Sequence, residues 1–185
     1  MRNFLDRLYG LALWAAALCL AAIALLVGVQ LTFRIIDGIL MLLRLPPTEF
    51  QILSLNEICG YTLAAASFLA LAPTLKGGAH IRVTMALNVL ARPFRRAAEI
   101  LAFGVAAGAG IYMTWQFANF AYVSYKFNEV SAGVVRVQLA YPQALMALGA
   151  LIFTIALIDE LVVILRRGRP TFLDAEEAFT VGKEG

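Results

Sequence analysis

The chain has few side chains that could do chemistry, and its one histidine, His80, is the first candidate. A lone imidazole can bind a metal or carry a proton. However, haem and zinc sites need further ligands, and a catalytic triad needs an acid and a nucleophile beside the histidine. With no second histidine in the sequence, we interpret His80 as a loop residue. We expect no catalytic residue, no metal site and no cofactor, and we predict that the protein is not an enzyme.

Carboxylates within or at the ends of apolar segments are the next candidates. Glu57 stands near the start of one such segment, and Asp159 and Glu160 stand near the end of another. Ionisable groups in these places are costly and are functional candidates by default. None is central in its segment, which favours a structural ion pair over a proton relay. Asp159 or Glu160 is expected to pair with Lys76 or Arg82.

The elements that position these groups are long and apolar. Of the 185 residues, 62% are hydrophobic and 15% are charged, and the mean hydropathy is +0.82. A soluble core of this size could not bury that surface. Crossing a hydrocarbon layer of roughly 30 Å takes about 20 helical residues. We predict an all-α membrane domain over residues 1–170, with four transmembrane helices at about 9–33, 55–75, 98–122 and 140–165, followed by a short acidic tail at 171–185.

The first window is too long for a cleaved export signal, whose apolar core runs about 7 to 15 residues. We therefore expect it to remain as a membrane helix. Cys19 and Cys59 both fall in apolar windows without neighbouring ligand groups, so we interpret them as buried free thiols.

Lys and Arg are distributed unequally between the loops, which predicts the orientation of the chain. One side carries Arg2, Arg7, Lys76, Arg82, Arg92, Arg95, Arg96, Arg166, Arg167, Arg169 and Lys183, and the other carries only Arg34, Arg44, Lys126 and Arg136. The positive-inside rule therefore places both termini in the cytoplasm. The basic residues follow the span ends without interleaved aromatic residues, so nucleic-acid binding is not expected.

Two amphipathic stretches and one small-residue stripe complete the pattern. Residues 34–45 place aliphatic side chains on one side, which predicts an interfacial helix on the outer surface, or else a continuation of the first span. Residues 83–91 repeat the pattern more briefly on the cytoplasmic side. Gly104 and Gly108 permit close helix approach, either within this chain or against another subunit.

The segment Lys76-Gly77-Gly78-Ala79-His80-Ile81-Arg82-Val83 is the most specific motif. It follows the second span, and Glu57 opens that span. This arrangement resembles the small membrane subunit (DctQ-like small permease) of tripartite ATP-independent periplasmic (TRAP) transporters, over about residues 9–167. The chain departs from the family pattern at Asn56, where a second acid often stands. The two glycines are expected to turn the chain sharply.

The resemblance implies a role in the bacterial inner membrane. The chain would be a scaffold, or stator, for a large transport subunit in the sodium-coupled uptake of an organic anion, such as a dicarboxylate or a sugar acid, delivered by a periplasmic receptor. Its partners would be the large subunit, the receptor and membrane lipids. The structural and partner candidates are Glu57, Lys76, Gly77, Gly78, His80, Arg82, Asp159 and Glu160, and the receptor-contact candidates are Lys126, Glu129 and Arg136. The alternatives are a membrane anchor of a redox enzyme and a four-span structural protein.

Overall fold

Four long helices make up most of the computed structural model, which describes residues 2–77 and 92–167. They are α1 (Arg2–Leu42), α2 (Leu55–Lys76), α3 (Arg92–Lys126) and α4 (Ala140–Arg167). Each is long and apolar enough to cross a membrane, which confirms the predicted four-span all-α fold. The second amphipathic stretch at 83–91 and the acidic tail at 171–185 lie outside the described residues.

The helices pack in the order α1, α2, α4, α3, with only slight contact between α1 and α4. The central pair, α2 and α4, runs in one direction, and the flanking helices α1 and α3 run in the other. We call the end where α1 begins and α4 ends the terminal side, and the opposite end the loop side. Because α1 and α3 flank the arrangement, each leaves a broad apolar surface exposed.

Small residues allow the close packing at the centre. Ala72, Ala150 and Ala156 have no exposed surface. A Cβ added at Gly149 of α4 would lie 2.7 Å from the backbone carbon of Phe68 in α2, so these two helices approach within backbone contact. Close approach of this kind increases van der Waals contact, which is a main source of helix association in a membrane.

Helix α1 buries a single narrow stripe. Its buried or half-buried residues recur at alternating intervals of three and four, the spacing at which helices pack at a shallow angle. The stripe consists of Tyr9, Ala12, Ala16, Cys19, Ile23, Leu26, Gln30, Phe33, Asp37 and Leu40, and it is broader near the start of the helix, where Leu5, Leu8, Gly10 and Ala15 are half-buried as well. From Leu20 to Leu42, every residue off this stripe is exposed.

The amphipathic stretch from Arg34 continues α1 without a break, so the second of the two sequence interpretations holds and no separate interfacial helix forms here. After α1 the chain reverses at Arg44, whose φ is 58°, and the Leu45 N–H donates to the Leu40 carbonyl at 2.9 Å. This is the left-handed turn that commonly ends a helix. Pro46 and Pro47, which follow, cannot continue a helical ladder.

The chain then returns along α1. The backbone N–H and hydroxyl of Thr48 both donate to Asp37 Oδ1, at 2.7 and 2.5 Å. The Ile52 N–H donates to Gln30 Oε1 at 2.8 Å, so Gln30 lies level with the residues that precede α2. At about 1.5 Å per residue, the twelve residues from Gln30 to Leu42 extend α1 roughly 18 Å beyond that level.

Candidate functional site

Lys76 joins three helices on the terminal side. Its Nζ lies 2.9 Å from Asp6 Oδ1 of α1 and 3.9 Å from Asp159 Oδ2 of α4. The same ammonium lies 4.7 Å from the centroid of the Tyr9 ring. A single cation thus interacts with two carboxylates and the face of one aromatic ring. We call these four residues the terminal junction.

The position of Lys76 follows from its place in the sequence. As the last residue of α2, it puts a positive charge at the negative end of the helix dipole, which is favourable. The next residue, Gly77, donates its N–H to the Pro73 carbonyl at 2.9 Å and ends the helix. Its φ of −71° is open to any residue, so the expected glycine-dependent sharp turn does not occur at Gly77.

Two further acids are buried on the terminal side. Glu160 of α4 has no exposed surface, and Glu99 of α3 is 8% exposed. Each of these two acids has an interaction partner. Arg96 links the same two helices by donating from Nη2 to the Leu165 carbonyl at 3.1 Å. Glu99 and Asp6 were not among the sequence candidates. The available signal for Glu99 was its place just inside the third predicted span.

Glu57 makes the main contact on the loop side. It lies in the first turn of α2, where its negative charge interacts favourably with the helix dipole. The hydroxyl of Ser131, in the connection between α3 and α4, donates to Glu57 Oε2 at 3.1 Å. The Val135 N–H donates to Ser54 Oγ at 2.9 Å, just before α2 begins. We call Ser54, Glu57, Ser131 and Val135 the loop-side contact.

The connection between α3 and α4 is a short hairpin over residues 127–139. The Ser131 N–H donates to the Val137 carbonyl at 2.8 Å, and the Leu139 N–H donates to the Glu129 carbonyl at 3.0 Å. Gly133 lies so close to the Glu57 carboxylate and to Ser54 that an added Cβ would overlap the Glu57 side chain. A larger residue at position 133 would therefore have to displace the Glu57 side chain, which accepts the hydrogen bond from Ser131.

The three receptor-contact candidates differ in their surroundings. Glu129 Oε2 accepts a 2.6 Å hydrogen bond from Ser124 Oγ, which fixes the hairpin to the end of α3. Lys126 and Arg136 are exposed, and Lys126 Nζ lies 5.9 Å from the centroid of the Phe127 ring. Lys126 thus stands at the end of α3, and Arg136 stands on the hairpin, which other residues hold in place.

The structure brings together some of the predicted residues and separates others. Lys76 and Asp159 meet at the terminal junction, whereas Glu57 lies at the other end of α2. The remaining candidates of the basic segment, Gly78, His80 and Arg82, lie outside the described residues. Ser131 and Gly133 were missed, because no periodicity or charge pattern marks them in the sequence.

The small-residue stripe of α3 does not pack against the part of the chain that the structure describes. A Cβ added at Gly104 or Gly108 would meet nothing within 4 Å. Gly110 contacts α4 instead, since a Cβ there would lie 2.8 Å from Thr154 Oγ1. Near it, the hydroxyls of Thr114 and Thr154 form a 3.1 Å hydrogen bond between the two helices.

The polar groups in these two clusters hold helices and loops together. Among the described residues, no group of three His, Cys, Asp or Glu side chains is placed to hold a metal ion. Cys19 and Cys59 are free thiols. Both clusters lie at ends of α2, so the chemistry that they support is ion pairing and hydrogen bonding between elements.

Comparison with known proteins places this arrangement in a family. The family model described as "Tripartite ATP-independent periplasmic transporters, DctQ component" matches residues 45–167. The match begins after α1 and runs to the end of α4. No curated protein sequence gives a significant match to the chain.

Proposed function

Because the chain belongs to the DctQ family of small TRAP transporter subunits, we propose that it is the static scaffold beside which a large membrane subunit moves its substrate. The chain is a transporter component of the bacterial inner membrane and not an enzyme. An anchor for a redox enzyme, the alternative that the sequence left open, is therefore not retained. The proposal further assigns sodium coupling and the organic-anion site to the large subunit.

The observation that carries the scaffold role is the attachment of α2 at both ends. On the terminal side, Lys76 interacts with α1 and α4, and on the loop side, Glu57 interacts with the α3–α4 hairpin. Tilting α2 against its neighbours would break a contact at each end. A subunit that must resist the movement of its partner needs such a shape-preserving arrangement.

Orientation follows from the charge distribution. In the sequence, the two terminal segments and the connection between α2 and α3 contain most of the Lys and Arg residues, and by the positive-inside rule these segments, and with them the terminal side, are cytoplasmic. The loop side is then periplasmic. On that side the exposed cations Lys126 and Arg136 are available to acidic residues of the substrate receptor. The end of α3 holds Lys126 in position, and the fixed hairpin holds Arg136. Complementary charge of this kind increases the rate of encounter between two proteins.

Charge reversal tests the receptor contact. We expect Lys126→Glu combined with Arg136→Glu to slow receptor-dependent uptake by about tenfold at low salt, and by less at high salt, where exposed charges are screened. Uptake would be measured in proteoliposomes that contain both membrane subunits, with added receptor. Arg166→Glu reverses an exposed cation on the terminal side and serves as the matched control, with unchanged uptake expected.

Recovery of the large subunit is measured in the same preparations. The double variant should retain the large subunit, since both positions are exposed, one at the end of α3 and the other on the hairpin. Unchanged uptake by the double variant would refute the receptor contact. Failure of the unsubstituted chain to recover a large membrane subunit would refute the scaffold role itself.

A further inference from the structure

One face of α1 is exposed along most of the helix. With about 100° between successive residues, Ala17, Ala21, Ala24 and Gly28 lie on the same line as Ile35, Ile39 and Leu42. All seven residues are exposed, and an added Cβ at Gly28 would meet nothing within 4 Å. This line, which we call the α1 face, points away from the stripe that packs on α2 and the returning chain.

The loop-side part of the α1 face, from Ile35 to Leu42, extends beyond the membrane. Arg7 and Arg34 are both exposed and stand 27 residues apart, which is about 40 Å of helix and matches the thickness of a bilayer with its headgroups. Leu42 then lies roughly 12 Å farther out. Tilting does not bring it back, because the helix from Leu8 to Leu42 is about 51 Å long, and fitting that length into a hydrocarbon layer of roughly 30 Å would need a tilt of about 54°, beyond the range of about 0–40° seen for membrane helices.

Aliphatic side chains on this outer part are therefore in water unless a protein covers them. Ile35 is 55% exposed, Ile39 is 53% exposed and Leu42 is 84% exposed. The returning chain does not cover them, since Thr48 binds Asp37 on the other side of the helix. An apolar stripe without a charged residue is typical of the core of a permanent interface and unlike the polar surface of a transient one.

The part of the face within the membrane points to the same kind of partner. Lipid chains fit against any apolar side chain, whereas a line of alanine and glycine allows the backbone of another helix to approach closely. One partner that covers both parts must have a membrane helix and must extend into the periplasm. A soluble receptor has no membrane helix, so it does not meet both requirements.

A second small-residue face, on α3, lacks this continuation. Beyond Gly104 and Gly108, the large exposed hydrophobic residues of α3 toward the loop side are Ile111 and five aromatic residues, Tyr112, Trp115, Phe120, Tyr122 and Tyr125. Phe120, Tyr122 and Tyr125 stand near the loop-side end of α3, where aromatic side chains are suited to the membrane–water interface. The α3 face therefore carries no extension into water that would require a protein to cover it.

We infer that the α1 face is the surface on which the large membrane subunit packs, with a close helix contact in the membrane and an apolar contact above it. The inference rests on the scaffold function proposed above. It concerns a helix that lies before the region matched by the family model. The partner helix has a smooth apolar surface at the level of Gly28 and reaches past the headgroups to Leu42.

Cysteine labelling tests the outer contact. In a Cys19→Ala, Cys59→Ala background, Ile39→Cys places a thiol on the α1 face, and Met41→Cys places one on the opposite side of the same helix, where Met41 is 67% exposed. Reaction with a membrane-impermeant maleimide would be followed with the chain alone and with the large subunit present. We expect the labelling rate at position 39 to fall by about tenfold in the complex, because interface cores exclude water, and the rate at position 41 to remain within about twofold.

Bulky substitutions test the contact within the membrane. Ala21→Phe should lower the recovery of the large subunit, whereas Gly104→Phe, on the exposed face of α3, should leave it unchanged. Both positions are exposed in the chain alone, so neither change disturbs its internal packing. Equal losses from the two variants, or a loss from Gly104→Phe alone, would overturn the assignment to α1.

The other possible labelling results show which other partner covers position 39. Protection of position 39 in the chain alone would assign the outer contact to lipid or to a second copy, and protection only after receptor is added would assign it to the receptor. Both results overturn the inference, as does an unprotected position 39 in a complex that contains the large subunit. If the unsubstituted chain recovers no large subunit, the scaffold function fails and the inference fails with it.

Discussion

Gly149→Ala should destabilise the chain, because α4 approaches the backbone of α2 at this residue. The added Cβ would lie 2.7 Å from the Phe68 backbone carbon and 2.9 Å from the Leu69 nitrogen. Ordinary contact begins at 3.4 Å, so the helices must separate by at least about 0.7 Å. Backbone atoms cannot rotate away as a side-chain end can, and the whole contact between α2 and α4 must adjust.

The size of the expected loss of stability in Gly149→Ala is obtained by comparison with Gly108→Ala. Replacing a helical glycine with alanine stabilises a helix by about 1 kcal/mol, and both variants share this gain. At Gly108 the new Cβ would meet nothing within 4 Å, so the gain remains. At Gly149 overpacking costs roughly 1–3 kcal/mol, and the two variants should differ in their free energies of unfolding by that amount.

A third glycine gives an intermediate result. The Cβ added at Gly110 would lie 2.8 Å from Thr154 Oγ1 and 3.5 Å from Leu157 Cδ1, both of which are side-chain atoms. Rotation of these side chains can relieve part of the overlap, although the Thr114–Thr154 hydrogen bond would then lengthen. Gly110→Ala should therefore be less stable than Gly108→Ala and more stable than Gly149→Ala.

Unfolding in mixed detergent micelles, titrated with SDS and followed by circular dichroism, measures all three variants under one condition. The expected order of the free energies of unfolding is Gly108→Ala, Gly110→Ala, Gly149→Ala, from highest to lowest. If Gly149→Ala unfolds with the same free energy as Gly108→Ala, then α2 and α4 do not touch through their backbones and the packing described above is wrong.

Two further predictions concern the ends of α2. Lys76→Gln removes the cation shared by Asp6 and Asp159 and should lower the free energy of unfolding by about 1–3 kcal/mol, since the junction is only partly exposed. The control Lys126→Gln should change the free energy of unfolding by less than about 0.5 kcal/mol. Equal effects of the two variants would contradict the junction. Glu57→Ala and Ser131→Ala should each lower the free energy of unfolding by about 1–2 kcal/mol. The double variant should lower it by less than the sum, because the two residues share one hydrogen bond. Additive losses would show that the two residues do not interact.

Much of the helical architecture could be predicted from hydropathy alone. The predicted spans begin at Leu55 and Ala140, where α2 and α4 begin. The extent of α1 could not be decided, because an apolar stripe on residues 34–45 suits both an interfacial helix and a longer spanning helix. What distinguishes them is the stripe formed by Gln30, Phe33, Asp37 and Leu40, whose mixed polarity hides it from a hydropathy pattern.

The terminal junction could be predicted from the sequence better than the loop-side contact. Lys76 and Asp159 were recognisable as partners, because opposite charges at the same end of neighbouring spans tend to pair. Ser131 and Gly133 were not, because their importance comes from the shape of the hairpin and its approach to Glu57. A serine and a glycine in a connecting segment have many ordinary explanations, and only the three-dimensional arrangement selects this one.

The position of α1 explains how the chain can be rigid on one side and available to a partner on the other. Helix α2 is fixed at both ends, by Lys76 and Glu57, and it supports α1 along a single stripe. Because that stripe is narrow, most of the α1 surface is left for another protein or for lipid. The Asp37–Thr48 contact supports α1 beyond the level at which α2 begins. Rigid support on one side is what allows the opposite side to present a fixed apolar surface.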